Sequence, residues 1–310
     1  MQKQQLKIAT RESPLALWQA NHVSALLQQL HPDLEVRLVS MSTEGDRFLS
    51  APLSQAGGKG LFIKELEQAL MNGDADLAVH SMKDVTVDFP EGLQLAAILP
   101  REDPRDAFIS NSFGSLAALP EGATVGTSSM RRRTQLLRLR ADLRISDLRG
   151  NVGTRLEKLD DGHYAAIILA AAGIKRLGLD QRVRDYLATQ DMIPAIGQGA
   201  IGIESRSNDD DTHALIRLLD DPLTHHLVEA ERVISRRLYG GCQLPIAAHA
   251  SATDDKVQMR AMVGRLDGSE VIRVERSGPM TDLGSLAQAV ADDLLDQGAD
   301  EILAGVLNHQ

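Results

Sequence analysis

Cysteine occurs once in this 310-residue chain, and aromatic residues make up only 3% of it. A single thiol excludes an intramolecular disulfide framework and suits a reducing compartment. No apolar stretch reaches the roughly 18 uncharged residues that a spanning helix needs. Behind its first lysines, "MQKQQLKIATRESPLALWQ" lacks the apolar segment of roughly 7–15 residues that a signal peptide requires. The expectation is a soluble, cytoplasmic protein with no membrane partner. Scarce stacking rings and a net charge of −10 argue against a general nucleic-acid binder. The histidines show no ligand spacing and there is no Cys/His cluster, so no metal is expected. His225 and His226 fall on a polar helix face, and His80 ends an apolar strand, as a satisfied core histidine does.

What remains is ordinary globular sequence, 43% hydrophobic and 25% charged, long enough for two or three domains with a real core. Its charge is unevenly spread. From Arg131 to Arg155 there are eight arginines and only two acids, Asp142 and Asp147. A cationic island in an acidic protein points to a discrete anionic ligand.

"LKIAT" reads as a short strand, and "SPLALWQANHVSALLQQL" has helical spacing, with Ser13 as N-cap and Pro14 in the first turn. "ADLAVHS", "ATVGTSS", "LRISDLRG" and the nearly continuous apolar "YAAIILAAAG" read as strands, with helices starting near Met130 and after Asn151. Continuous apolar strands alternating with helices imply parallel sheets covered on both faces. "LPREDPRDAFIS" (99–110) and the glycine-bearing "DMIPAIGQGAIGIESR" (191–206) read as two crossings between such domains. Further on, "KVQMRAMVGRLDGSEVIRVERSG" alternates around Asp267-Gly268, a hairpin signal, and two helices close the chain. The expected class is α/β, with two doubly wound lobes and a smaller α+β C-terminal domain. The expected domains are 1–99 with 200–218, then 100–199, then 219–310.

In open α/β sheets, ligands sit beyond the carboxyl ends of the strands. Those ends carry Thr10, Arg11 and Ser13; Ser81, Lys83 and Asp84; Thr127, Ser129, Arg131 and Arg132; Arg149, Asn151 and Arg155; and, a few residues on, Arg176. Several fall at helix N-termini, which already favour anions, and arginine's planar fork matches carboxylate or phosphate. Any one such charge is ordinarily a solvated surface group, as Arg138, Arg140 and Arg144 are expected to be. Coincidence at five strand ends is a poor account, so a polyanion site is the better reading. "GGKGLF" (57–62) lacks phosphate-loop spacing and reads as a flexible connection or as a mobile lid carrying Lys59. The one thiol, Cys242, stands behind Gly240 and Gly241 in "LYGGCQLPIAAH". Lone cysteines are ordinarily small buried hydrophobes. Here the glycines clear space for something to approach a thiolate, the best soft nucleophile in a protein.

"IATRESPLALWQ", "GGKGLF", "VHSMKDV", "REDPRDAF", "GTSSMRRR", "LRGNVGTRL", "PAIGQGAIGIE" and "GGCQLPI" occur in order over almost the whole chain. Together they resemble the porphobilinogen deaminase, or hydroxymethylbilane synthase, family. The resemblance implies two lobes like those of type II periplasmic binding proteins, a third small domain and a monomer. It implies a transferase of tetrapyrrole and haem biosynthesis that joins four porphobilinogen molecules head to tail with release of ammonia. It also implies a dipyrromethane cofactor, attached by a thioether at the position of Cys242. Lys83, Ser129, Arg131, Arg132, Arg149 and Arg155 match cofactor-binding positions. Arg11, Ser13, Thr127, Arg149, Arg155 and Arg176 match substrate-binding ones, with Lys59 reaching in from the lid. Asp84 matches the catalytic aspartate. Gln55 stands where lysine is frequent, and Thr86 stands where "KDVP" usually has proline, which is expected to loosen the loop after Asp84. The alternative is a non-enzymatic anion-binding protein on the same two-lobed scaffold. It accounts for the arginines but not for Cys242 or the extra domain.

Overall fold

The computed structural model describes residues 4–47, 60–238 and 244–308. In chain order the elements are β1 (Gln5–Arg11), α1 (Pro14–Leu30), β2 (Glu35–Met41), α2 (Glu44–Arg47), α3 (Lys64–Asn72), β3 (Leu77–Ser81) and β4 (Leu93–Ile98). There follow β5 (Asp106–Ile109), β6 (Thr124–Gly126), α4 (Met130–Leu139), β7 (Arg144–Ser146), α5 (Val152–Asp160), β8 (Ala166–Ala170), α6 (Ala171–Arg176) and β9 (Val183–Leu187). The chain continues with β10 (Ile201–Arg206), α7 (Asp210–Ile216), α8 (Pro222–Arg237), β11 (Ile246–Thr253), β12 (Lys256–Gly264), β13 (Val271–Pro279), α9 (Leu283–Asp296) and α10 (Ala299–Leu307). No helix among the described residues is long and apolar enough to cross a membrane.

The fold is α/β, with two five-stranded lobes and a smaller antiparallel sheet near the C-terminus. The chain separates into two compact units, 1–102 with 200–225 and 103–199 with 226–310. The first holds the sheet β2-β1-β3-β10-β4. Leu6, Ile8 and Leu77 pack under α1 on one face, and Ala9 and Ala78 under α3 on the other. The second holds β7-β6-β8-β5-β9, with Val125, Phe108 and Ile168 beneath α4 and Ile167 and Leu169 beneath α5.

Neither lobe sheet is wholly parallel. Strands β1, β2 and β3 run parallel, as do β6, β7 and β8. However, β10 is antiparallel to β3 and β4, and β5 to β8 and β9. Each segment expected to be a crossing itself supplies a strand, and that strand runs against its neighbours. The apolar run 164–173 is also divided. Strand β8 stops at Ala170, and Ala171–Gly173 open a helix whose small residues are buried against the sheet.

Local chemistry sets the helix starts. Ser13 Oγ accepts Ala16 N–H (3.3 Å) with Pro14 at the first helical position, and Asn151 Oδ1 accepts Thr154 N–H (2.9 Å). Within the second unit, β11-β12-β13 pack Met259, Ala261 and Val274 against α8, α9 and α10. The β12–β13 hairpin turns at Gly268, whose φ of +72° suits glycine, and its tip presses on the end of α4. Thr134 and Arg133 of α4 donate to the carbonyls of Arg265 and Leu266 (3.0 and 3.2 Å), tying that helix to the C-terminal sheet.

Candidate functional site

In the first unit, Arg11 ends β1 as a paired cation. Its Nε donates to Asp46 Oδ2 (3.0 Å), its Nη2 meets Asp46 Oδ1, and its guanidinium lies 4.3 Å from the centre of the Phe62 ring. Burial pushes the Asp46 carboxyl up, but hydrogen bonds from Arg11 and Thr43 outweigh it and hold the group below the ordinary aspartate value. About a fifth of each partner stays exposed, 20% and 18%, so the pair faces solvent at the strand end. Ser13 caps α1, with its hydroxyl oxygen taken by Ala16 N–H.

Lys83 and Asp84 lie in a 3₁₀ turn, Met82–Asp84, directly after β3. Positions i and i+3 eclipse in such a turn, and here they are the buried Met82 and Val85. Lys83 and Asp84, between them, are partly exposed. Met82 N donates to Ala200 O (3.0 Å). Its Sδ lies over Gly202 of β10, 2.2 Å from where a Cβ would stand. Only glycine leaves that space. The loop after Asp84 is tied, contrary to expectation. Without proline's ring, Thr86 donates from Oγ1 to Asp88 O (2.8 Å), and the side chain closes the turn itself.

In the second unit, Thr127, Ser129, Arg131 and Arg132 gather where β6 passes into α4. Ser129 Oγ caps the helix by accepting Arg132 N–H, while Ser129 N–H donates to Thr127 Oγ1 (3.2 Å). Arg131 and Arg132 do not project into solvent, being 4% and 6% exposed. Both close on Asp106 of β5, which is fully buried. Arg131 Nη1 donates to Oδ2 (2.8 Å), and Arg132 Nη2 donates to Oδ1 (2.7 Å). Burial drives the Asp106 carboxyl up, but the two guanidiniums outweigh it and hold it far below its usual range. Arg131 also donates to Ile193 O, Arg132 to Ile168 O, and Gln198 Nε2 to Asp106 Oδ1 (3.1 Å). The cluster keeps one net positive charge, and Arg131 Nε is buried with no acceptor among the described residues.

Arg149 and Arg155 flank the start of α5 and are partly exposed. Lys158 donates to Arg149 O (3.1 Å), and Arg155 Nε donates to Gly150 O (2.7 Å), where Gly150 adopts φ +113°. Arg176 Nη2 donates to Gly199 O (2.7 Å). Arg138 and Arg144 are exposed. Arg140 is not the solvated charge expected of it. It binds Asp142 and the carbonyls of Leu116 and Leu119, because α4 ends beside that turn. His80 is a paired core histidine, 2.8 Å from Glu204. Lys59, Gln55 and Cys242 lie outside the described residues.

Sequence reasoning passed over Asp106, although "RDAFI" signals it: an acid opening a short apolar strand has to find cations. Glu231 was missed as well. It is fully buried on α8 and accepts Gly197 N–H (2.7 Å) and Ala250 N–H (2.8 Å).

Residues 6–214 match the family model described as "Porphobilinogen deaminase, dipyromethane cofactor binding domain", and residues 226–296 match "Porphobilinogen deaminase, C-terminal domain". Similar solved structures include the methionine-binding protein MetQ, 14% identical over 72% of this chain and 92% of that one, with a TM-score of 0.46. A nutrient-binding protein from Burkholderia cenocepacia bound to methionine is 16% identical over 71% and 93%, with a TM-score of 0.44. A periplasmic substrate-binding protein of an ABC transporter from Coxiella burnetii is 15% identical over 71% and 94%, with a TM-score of 0.44.

Proposed function

Since the chain belongs to the porphobilinogen deaminase (hydroxymethylbilane synthase) family, we propose that it joins four porphobilinogen molecules head to tail into the linear tetrapyrrole hydroxymethylbilane, releasing one ammonia per addition. The observation that carries this reading is the Met82–Asp84 turn. It presents a carboxylate beside a lysine at a strand's carboxyl end, held by buried residues on both sides.

Each porphobilinogen carries an acetate, a propionate and an aminomethyl arm. As the protonated amine leaves as ammonia, the pyrrole nitrogen's electrons form the azafulvene and positive charge appears on the ring. Asp84 is assigned to accept the pyrrole N–H and to stabilise that charge where it develops. Lys83, Arg149 and Arg155 are assigned to ring carboxylates, with Arg11, Arg176, Ser13 and Thr127 binding incoming substrate and Lys59 reaching in.

The residues fit a dipyrromethane, whose carboxylates need just such donors. Ser129 offers a hydroxyl, and the Arg131–Arg132–Asp106 cluster keeps one positive charge and a buried N–H without an acceptor among the described residues. When bound, the cofactor supplies the free pyrrole carbon at which the chain grows. Cys242 is assigned to hold it by a thioether. The working form is a cytoplasmic monomer whose partners are porphobilinogen and the growing polypyrrole.

Intact-mass measurement combined with turnover tests this. The purified protein should exceed its chain mass by two linked pyrrole units. Cys242→Ala should remove the excess and stop ammonia release from porphobilinogen. A fully active protein of unmodified mass overturns the reading.

A further inference from the structure

Three ionisable side chains of the first unit lie buried on the sheet face that α3 covers, and the proposed chemistry uses none of them. They are Glu67 on α3, His80 on β3 and Glu204 on β10, exposed by 7%, 5% and 0%. His80 Nε2 stands 2.8 Å from Glu204 Oε2, while Glu204 Oε1 is buried with no partner among the described residues. The strand register explains the meeting. Gly202 lies opposite His80 and Ala78 opposite Glu204, so the four positions share one face and His80 and Glu204 are diagonal neighbours. Between them on that face stand the small Ala78 and Gly202, the second covered by the Met82 side chain.

Around them the face carries Ala9 from β1, Leu66, Ala69 and Leu70 from α3, and Leu93 from β4, and beyond Glu204 it carries Arg206, which donates to Leu70 O of α3 and is paired with Asp76 and Asp209. The charged groups acting on Glu67 are Glu204, His80 and Lys64 of its own helix. Two carboxylates and one imidazole in such a setting leave an excess negative charge unless a proton neutralises it. Burial first, and then Glu204, push the Glu67 carboxyl up to about 7.

The strand that carries Glu204 also seats the turn carrying Lys83 and Asp84. Ala200 O takes Met82 N–H, and Gly202 lies under the Met82 side chain. We propose that Glu67, His80 and Glu204 form a buried proton-sharing cluster that positions the Lys83–Asp84 turn, so that losing the shared proton above neutral pH loosens α3 from β3 and β10 and lowers turnover. This rests on the reading of Asp84 as the reactive carboxylate. The three are positioning residues.

The test compares wild-type holoenzyme with Glu67→Gln, which keeps size and hydrogen bonding but is permanently neutral. Glu67 has a folded value above its ordinary one. The fold therefore holds an extra proton between the two, and wild type loses stability progressively as pH rises from about 4.5 through about 7. The two proteins should differ least below about pH 4.5, and relative to that the variant should melt roughly 7–14 °C higher near about pH 8.5. The alkaline fall in wild-type kcat should move to higher pH in the variant at unchanged KM. Glu204→Gln, which removes the neighbouring carboxylate that raises Glu67, should shift the melting curve in the same direction. Parallel melting curves across that range, or superposable kcat profiles, overturn the proposal. Asp84→Asn separates the two readings. If it keeps near-normal kcat while the melting difference persists, the Asp84 assignment and the positioning role fail together. If it loses kcat while the melting curves run parallel, the cluster alone is wrong.

Discussion

Asp106→Asn removes one negative charge from the most buried ionic cluster at the candidate site. The carboxylate accepts Arg131 Nη1 (2.8 Å) and Nη2 (3.2 Å), Arg132 Nε (3.0 Å) and Nη2 (2.7 Å), and Gln198 Nε2 (3.1 Å). Asparagine keeps one acceptor oxygen but turns an NH₂ group toward a guanidinium that can only donate. Two cations, each less than a tenth exposed, are then left without a counter-charge. Breaking a buried pair in this way costs about 3–5 kcal/mol. For a domain of roughly 150–250 residues each kcal/mol moves the melting temperature by about 2–4 °C, so a fall of roughly 6–20 °C is expected. Scanning calorimetry of wild type and variant at neutral pH reads this directly. A fall of less than about 2 °C would mean that the two guanidiniums find other anions or water, and the clamp described here would be wrong.

Asp103 gives an acid-side counterpart. Burial raises its carboxyl, but hydrogen bonds from Arg105 and Lys175 outweigh that and bring it from 3.8 down to about 2. Its contribution is therefore present above about pH 4 and lost as pH falls toward about 2. Urea unfolding over a pH series should show Asp103→Asn less stable than wild type at neutral pH, with the gap closing in acid; a constant gap would contradict the pairing. Arg140→Leu should lower the melting temperature, because it frees Asp142 and two carbonyls. The folded variant should keep its turnover of porphobilinogen, while Arg149→Leu should lose most of it. Equal losses in the two would show that the site has been drawn around the wrong arginines.

Much of this was legible because it is local. Ser13, Ser129 and Asn151 each precede a helix and cap it through their own side chains, so residue type and position suffice to read the start. Asp267-Gly268 marks its hairpin in the same way. Strands β5 and β10 were harder to read. They follow proline- and glycine-bearing stretches and contain Asp106, Glu204 and Ser205, polar groups that only distant partners make tolerable. The same gap separates the site as read from the site as folded. That Arg131 and Arg132 end near a strand tip follows from their position. That Asp106, 25 and 26 residues earlier, already occupies them follows only from the topology of the second sheet.

The two lobe sheets differ in one respect that matters before the protein is finished. Every strand of β7-β6-β8-β5-β9 comes from an uninterrupted stretch, 106–187. The first sheet instead takes its fourth strand, β10 (Ile201–Arg206), from beyond that stretch and slots it between β3 and β4. On a ribosome making about 5–20 residues per second, β3 and β4 wait roughly 5–20 seconds with facing edges unpaired while the intervening hundred or so residues are made. Of the two lobe sheets, the one whose first strands are made earlier is thus the later to close. Its nascent edges are the places where a growing chain would need shielding from its neighbours.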